Sequence, residues 1–423
     1  MPTIRSTLAI LLPASLALAA CGDDGDATVD AGADAPPRID AGPPAPPLAE
    51  PGRHDVTVVD TRQMIPGDGL PPETPAQTSN NNLDVIRHDG RVFLAWRTGP
   101  DHFASAETRI HVISSDDETT WRFEATFFLD RDLREPRFLS LGGSLFLYVS
   151  RLGTSSITFE PQGISVAERH ADGTWTGLEE IFDPGWLLWR ARTEAGTPML
   201  LAYLGGEHIY DFSGLPISVG LFTTADGRTL TPLDPARAVV WMGGGSETDL
   251  ALQPDGSLLG VIRNEAGEAT GFGSKVCQAP AGDLARWTCV DDPRKYDSPL
   301  VFYHDGETYL LARRNVTETG NYDLMRRHLT IPQQEGDYQL DYVRQPKRCA
   351  LWRFVPAEQR IAFILDLPSR GDTCFPALIT GATADELVVY NYSSDIDGSD
   401  VWWNVGQVGP TFIYRHVLRF TVR

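Results

Sequence analysis

Acids and arginines recur in this sequence at matched places, and their spacing could support bond-breaking chemistry. Asp84, Glu135, Glu247, Asp297 and Asp372 each stand at or near the entrance to a short apolar run. Arg97, Arg151, Arg263 and Arg313 each close the next apolar run. The separation is sixteen positions for Glu135–Arg151, Glu247–Arg263 and Asp297–Arg313. Arg134 and Arg190 add cations near run starts, and Asp132 and Asp249 add carboxylates. Glycoside hydrolysis needs two carboxyl groups flanking the scissile bond, one protonated as acid and one ionised as nucleophile or base. Arginines among acids bind a sugar carboxylate bidentately and push neighbouring acid pKa values apart. The plainer account is that strand ends are wet and pair off in modest salt bridges. It explains any single pair, but less easily a recurrence in four repeats.

The elements that must position these residues are hairpins. "VIRHDGRVFLAWR", "RFLSLGGSLFLYVSR", "DLALQPDGSLLGVIR", "PLVFYHDGETYLLAR" and "ALITGATADELVVYNY" are each an apolar strand, a tight turn and a second apolar strand. "LLWRARTEAGTPMLLAYLGG" fits more loosely. Each hairpin is followed by further strands, which gives six units starting near residues 82, 132, 186, 245, 295 and 371. Four strands per unit at this period predict an all-β chain, a six-bladed β-propeller of four-stranded antiparallel blades. A β-sandwich with a second domain is the alternative. The unit from 295 carries an insertion around "PQQEGDYQLDYVRQPK", and "HDVTVVDT" (54–61) is expected to close the last blade. In a propeller the first strand of each blade lines the central channel and the second runs back beside it. The acids and arginines should therefore converge on one channel mouth.

"SSDDETTW" matches the pattern S-x-D-x-G-x-T-W at Ser114, Asp116, Thr120 and Trp121, and departs from it at Glu118. Asp116 is expected to accept backbone N–H bonds in the turn, with Trp121 anchoring the next strand. With this box, "LDVIRHDGRVFLAWRTGPDH", "DLREPRF", "WLLWR", "SETDLALQPDGSLLGVIRN" and "LPSRGDTCFPALI", the chain resembles the six-bladed sialidase-like propellers over most of residues 80–420. It is similar to bacterial exo-sialidase-like proteins. The resemblance implies an arginine triad for a sugar carboxylate, which Arg97, Arg263 and Arg313 would supply. It also implies an acid/base aspartate and a tyrosine–glutamate pair. Glu247 would be the glutamate; Tyr296, Tyr390 and Tyr392 are the tyrosines near strand ends. The acids at strand starts also resemble those of five-bladed furanosidase propellers, with Glu135, Glu247 and Asp297 as the equivalents. Trp186, Trp189, Trp402 and Trp403 are candidates for stacking on sugar, against core packing for Trp189 and one of the last two. His102, just past Arg97, is either a solvated loop histidine, the reading its loop position favours, or the histidine that reaches the mouth.

Composition bounds the partners. The net charge of −21 argues against nucleic acid, whose phosphates need a basic surface. Residues 1–20 read as an export signal running into "LALAAC", a lipoprotein-type cleavage site that would lipidate Cys21. An ordinary secretory signal with a chance cysteine is the alternative. Residues 21–53 are Asp, Ala, Gly and Pro with few large apolar side chains, hence a tether. Residues 54–423 would then form one propeller, lipid-anchored in a bacterial envelope, with the membrane touched only through the anchor. Cys277 and Cys289 flank a strand–loop–strand and are candidates for a disulfide, leaving Cys349 with Cys374; four free thiols is the other reading. No spacing suggests a metal or a cofactor. The expected activity is glycoside hydrolysis on an acidic or complex glycan by a monomer. A non-catalytic carbohydrate- or protein-binding surface propeller is the alternative.

Overall fold

The computed structural model describes residues 51–423; the leader, Cys21 and nearly all of the tether lie outside the described residues. Six antiparallel sheets follow one another along the chain. The first blade runs Ser79–His88, Arg91–Gly99, Arg109–Ser115, Arg122–Phe127, and the second Asp132–Leu141, Ser144–Leu152, Pro161–Arg169, Glu179–Ile181. The third has Leu187–Glu194, Thr197–Leu204 and Ile217–Thr223, with its outer edge split between Thr231–Pro232 and Val239–Gly243. The fourth is Gly245–Leu252, Leu258–Glu268, Gly271–Ala279, Thr288–Asp292, and the fifth Asp297–His304, Glu307–Asn315, Lys347–Val355, Arg360–Asp366. The sixth joins Ala377–Thr380, Glu386–Ser393 and Phe412–Val422 to the N-terminal strand His54–Ile65. That strand pairs with the last one from His54–Val422 to Ile65–Ile413, so the ends of the described chain close the ring and cover an edge. The six-bladed reading of the hairpins holds.

Apolar residues at the inner strands meet across the channel, as with Trp189 of the third blade against Phe375 of the sixth at 5.2 Å. Polar staples also cross from blade to blade. The Asp84 carboxylate accepts the Phe138 N–H at 2.7 Å, and Asp249 accepts that of Val301 at 2.8 Å. Both disulfides form: Cys277–Cys289 joins directly opposed strand residues, and Cys349–Cys374 ties the fifth blade to the sixth.

The outer turn of the first blade differs from expectation by one residue. Asp117, not Asp116, accepts the Thr119 and Thr120 N–H groups, both at 2.8 Å, while Asp116 pairs with exposed Arg122. Ser115, not Ser114, receives the Asp117 and Glu118 N–H groups. A tight one-shorter loop between Ser115 and Trp121 produces the offset. Glu118 sits where glycine is usual and has φ of +58°. Its carboxylate is held by Arg415 at 2.9 Å, Tyr390 at 2.8 Å and Arg87 at 3.2 Å, which fastens this turn to the sixth blade. The same turn recurs unforeseen in the third blade, where Asp226 accepts the N–H groups of Arg228 and Thr229.

Candidate functional site

The inner strands do not enter the mouth smoothly. Register shifts fall between Asn81 and Leu83, Arg134 and Arg137, Gly245 and Thr248, and Asp297 and Leu300. Each is a bulge that re-aims the side chains before it. Asn82, Glu135 and Ser298 have positive φ at these bulges. The blade-one residue at the bulge is therefore Asn82. Asp84 lies beyond its bulge, as Asp249 does, and both carboxylates serve the staples described above. Asp84 thus belongs to the layer below the mouth, with Arg137 at 3.9 Å, and is not one of the mouth carboxylates.

The other four acids meet around the mouth. Arg97 donates to Asp132 at 2.9 Å, and Asp132 also binds Arg134, which reaches the His102 carbonyl. His102 Nδ1 lies 2.7 Å from Asp372, whose other oxygen accepts from Tyr392 at 3.0 Å and Trp403 Nε1 at 2.9 Å. Arg313 links Tyr392 (3.2 Å) to Asp297 (3.2 Å). Arg263 follows, 3.7 Å from Asp297 and 2.8 Å from Glu247, while Ser298 N–H binds the second Glu247 oxygen at 2.7 Å. Glu135, beside Arg134 in sequence, feels the charges of Arg134 and Glu247.

Proton affinities in this ring are pushed apart. Burial raises the Glu135 carboxyl to about 7; Arg134 opposes this and Glu247 adds to it. One Glu135 oxygen is buried with no hydrogen-bond partner. Burial also raises Glu247, with Arg263 opposing and Asp297 reinforcing. Burial would raise Asp297 too, but Lys295, Arg313 and Arg263 hold it below its usual value. Asp372 is likewise held low despite burial, by His102, Arg313 and Tyr392. Burial lowers His102, so a neutral imidazole donating Nδ1–H to ionised Asp372 satisfies both.

Three expected cations stand apart from the mouth. Arg151 turns outward to Glu180 at 2.6 Å, so it does not pair with Glu135. Arg151 pairs across the hairpin with Leu133, two residues before the bulged acid. Arg190 is buried on Asp249 (3.3 Å) and the Pro299 carbonyl (2.7 Å). Arg97 is 0% exposed and spends its donors on Asp132, Asn81 and the carbonyls of Asp101 and Phe103, so no triad with Arg263 and Arg313 forms. Among the tyrosines, Tyr390 serves Glu118 and Tyr296 serves Asp292 at 2.9 Å; Tyr392 alone of the three joins the ring. Trp186 and Trp189 are core, Trp402 is exposed, and Trp403 lies over Arg313 at 4.7 Å.

Several ring members escaped sequence reasoning. Glu265 contacts Arg263 at 3.1 Å and Lys295 at 2.7 Å; it lies two residues past Arg263, hence on the same strand face. Lys295 also lies 3.5 Å from Asp297. The insertion forms a helix, Ile331–Val343, capped by Thr330 with Gln333. Its Tyr342 donates to Asp297, and its Gln339 donates to the Ile209 carbonyl at 2.7 Å. Helical spacing of four would have paired Tyr338 with Tyr342 and Glu335 with Gln339. Tyr210, 42% exposed, faces the ring; burial of its hydroxyl end and the nearby Glu265 push its ionisation up.

Glu335 is fully buried with both oxygens unpartnered, and burial with Glu265 and Asp211 nearby raises it to about 9. A raised carboxyl favours folding below its unfolded pKa and loses that contribution as pH rises toward the folded value. Glu335→Gln is therefore expected to raise Tm relative to wild type at pH 8–9 and to leave the difference smallest near pH 4, measured by calorimetry.

A cavity of about 460 Å³ lies apart, lined by Asp292, Arg294, Arg314, Asn315, Trp352 and Phe363 among others. Of the ring it shares only Lys295, and its Arg294 and Arg314 are engaged by Asp292 and Asp366.

Solved structures share this architecture. A protein of unknown function from Dyadobacter fermentans superposes with a TM-score of 0.56 at 13% identity, covering 87% of this chain and 99% of that one. Trypanosoma rangeli sialidase in complex with sialic acid gives 0.52 at 13%, covering 81% and 54%. The fold is that of the sialidase-like propellers. Phage phi92 endosialidase agrees, with 0.53 at 11%, covering 88% and 70%. This chain spans about half the length of the trypanosomal sialidase, and at these identities the likeness is one of fold. No protein-family model matches the chain, and no curated protein is similar to it in sequence.

Proposed function

We propose that this sialidase-like propeller is a glycoside hydrolase whose active site is the channel mouth, exported and held at the cell envelope by a lipid on Cys21. The observation that carries the reading is the convergence of the mouth carboxyls on Arg263, Arg313 and His102 in one ring, where burial and partners push their proton affinities apart. Glu135 and Glu247 are raised while Asp297 and Asp372 are held low. Carboxyls pushed apart in this way mark an acid and an ionised partner. Glu135 gives its proton to the glycosidic oxygen as the bond to the anomeric carbon breaks. Positive charge developing on the sugar faces the Asp297 carboxylate, fixed by Tyr342 and Arg313. Water then adds at the anomeric carbon, and its proton restores the acid.

A panel of aryl glycosides that includes sialosides and furanosides tests this. The full chain is expected to turn over at least one, with Glu247→Gln and Asp297→Asn each slowing it by about a hundredfold or more. A second reading, a binding propeller, draws on the cover over the ring. Tyr342 on Asp297, Gln339 on Ile209, and the Trp403 N–H on the Gln345 carbonyl (3.2 Å) knit the insertion across the mouth. No turnover on any member of the panel would select that reading.

A further inference from the structure

The charge balance of the mouth bears on which sugar fits it, taking the mouth as the sugar site proposed above. Every cation in the ring already has a protein partner. Arg263 gives Nε and Nη2 to Ser246 at 3.1 and 2.9 Å, and Nη1 to Glu247 and Glu265. Arg313 serves Asp297, Tyr392 and the carbonyls of Thr373 and Cys374. Arg134 serves Asp132 and the His102 carbonyl. Lys295 sits on Glu265 with its ammonium 3.6 Å from the Tyr342 ring centre, and Lys347 donates to Asn315 and the carbonyls of Tyr342 and Gln345.

The unfilled capacity is of the opposite kind. One oxygen of Glu135 and both of Glu335 are buried without a partner, while the second oxygens of Glu265 and Asp297 lack a hydrogen bond but lie 3.1 Å from Arg263 and 3.5 Å from Lys295. These sit in different strands and in the insertion helix, yet all belong to the ring or its cover. Unpaired buried acceptors call for donors, and they repel a further anion at low effective dielectric. A carboxylate on the ligand would have to displace a protein carboxylate from a guanidinium and leave that one unpaired.

We propose that the mouth takes a sugar without negative charge, one whose hydroxyls hydrogen-bond to Glu135 and Glu335, and that it rejects sialic and uronic acids. The guanidinium groups act as counter-charges that position these acceptors. The ligand reaches the oxygens when the 331–343 insertion lifts from the mouth.

Two measurements separate this inference from the hydrolase reading. The first is binding of the full chain to an array carrying neutral, sialylated and uronate-terminated glycans at 0.15 M salt. Binding to neutral termini, with sialylated and uronate counterparts weaker by more than about a hundredfold, is expected. Binding to sialylated or uronate termini at equal or higher affinity would overturn the inference, and so would no binding to any neutral terminus. The second is turnover of neutral aryl glycosides against aryl sialosides and glucuronides. Turnover confined to neutral substrates supports the inference, and comparable kcat/KM on a sialoside overturns it. Neutral binding without turnover defeats the hydrolase reading alone and leaves the sugar's charge as inferred.

Discussion

Glu135→Gln is expected to lower kcat/KM by about a thousandfold on aryl glycosides with poor leaving groups, and far less on dinitrophenyl glycosides. General-acid catalysis contributes about 10²–10⁴-fold, and a leaving group that departs without a proton makes that help unnecessary. The dependence on leaving group distinguishes proton donation from a structural role, which would depress all substrates alike. Glu135 suits the task through position as much as proton affinity. Its φ of +48° sits at the bulge of the second blade, where the charges of Arg134 and Glu247 act on it while its own blade's Arg151 is engaged by Glu180. Gln keeps the shape and removes the proton. A uniform loss across leaving groups would remove Glu135 from the donor role.

Asp297→Ala is expected to destabilise the fold by about 3–5 kcal/mol, the penalty for stripping one partner from a buried ionic network. Four groups converge on this carboxylate: Arg313, Tyr342, and, slightly further off, Lys295 and Arg263. Its removal leaves Lys295 with Glu265 as its carboxylate partner and strips the Tyr342 hydroxyl of its acceptor. The folded-state pKa of Asp297 is depressed. Its stabilisation is therefore present above the unfolded carboxyl value and is lost as pH falls through the folded one. Chemical denaturation should show the wild-type advantage shrinking below about pH 4. Asp297→Asn retains an acceptor for Tyr342 and should lose less. Equal stability of Asp297→Ala and wild type at pH 7 would contradict the network.

How much of this was legible in the sequence follows from periodicities. The hairpins read true because alternating apolar runs and glycine turns leave few other folds, and the closing strand could be placed at 54–61 because a propeller needs its edge covered, though it runs on to Ile65. Glu135, Glu247, Asp297 and Asp372, with Arg134, Arg263 and Arg313, were expected at the mouth by the same reasoning, whereas His102 read more readily as a solvated loop histidine. The bulges could not be counted from the sequence. Each shifts register, and the shift sends Asp84 to a staple and takes Arg151 out of reach of Glu135. Arg97 and Arg190 looked like binding groups because an arginine's partners cannot be read from its own position. The insertion was visible as an interruption, but its helix was not foreseen. With it went Tyr342, Gln339 and Glu335, which decide how the mouth is covered. In "SSDDETTW" two adjacent aspartates offered two registers, and backbone geometry chose the second.

The pH–rate profile of the full chain on its best neutral aryl glycoside tests the central claim most directly. The account predicts that kcat/KM falls as pH rises through about 7, where Glu135 loses its proton, and that Glu135→Gln abolishes this limb. An alkaline limb that survives unchanged in Glu135→Gln, or a profile flat from pH 5 to 9, would contradict it.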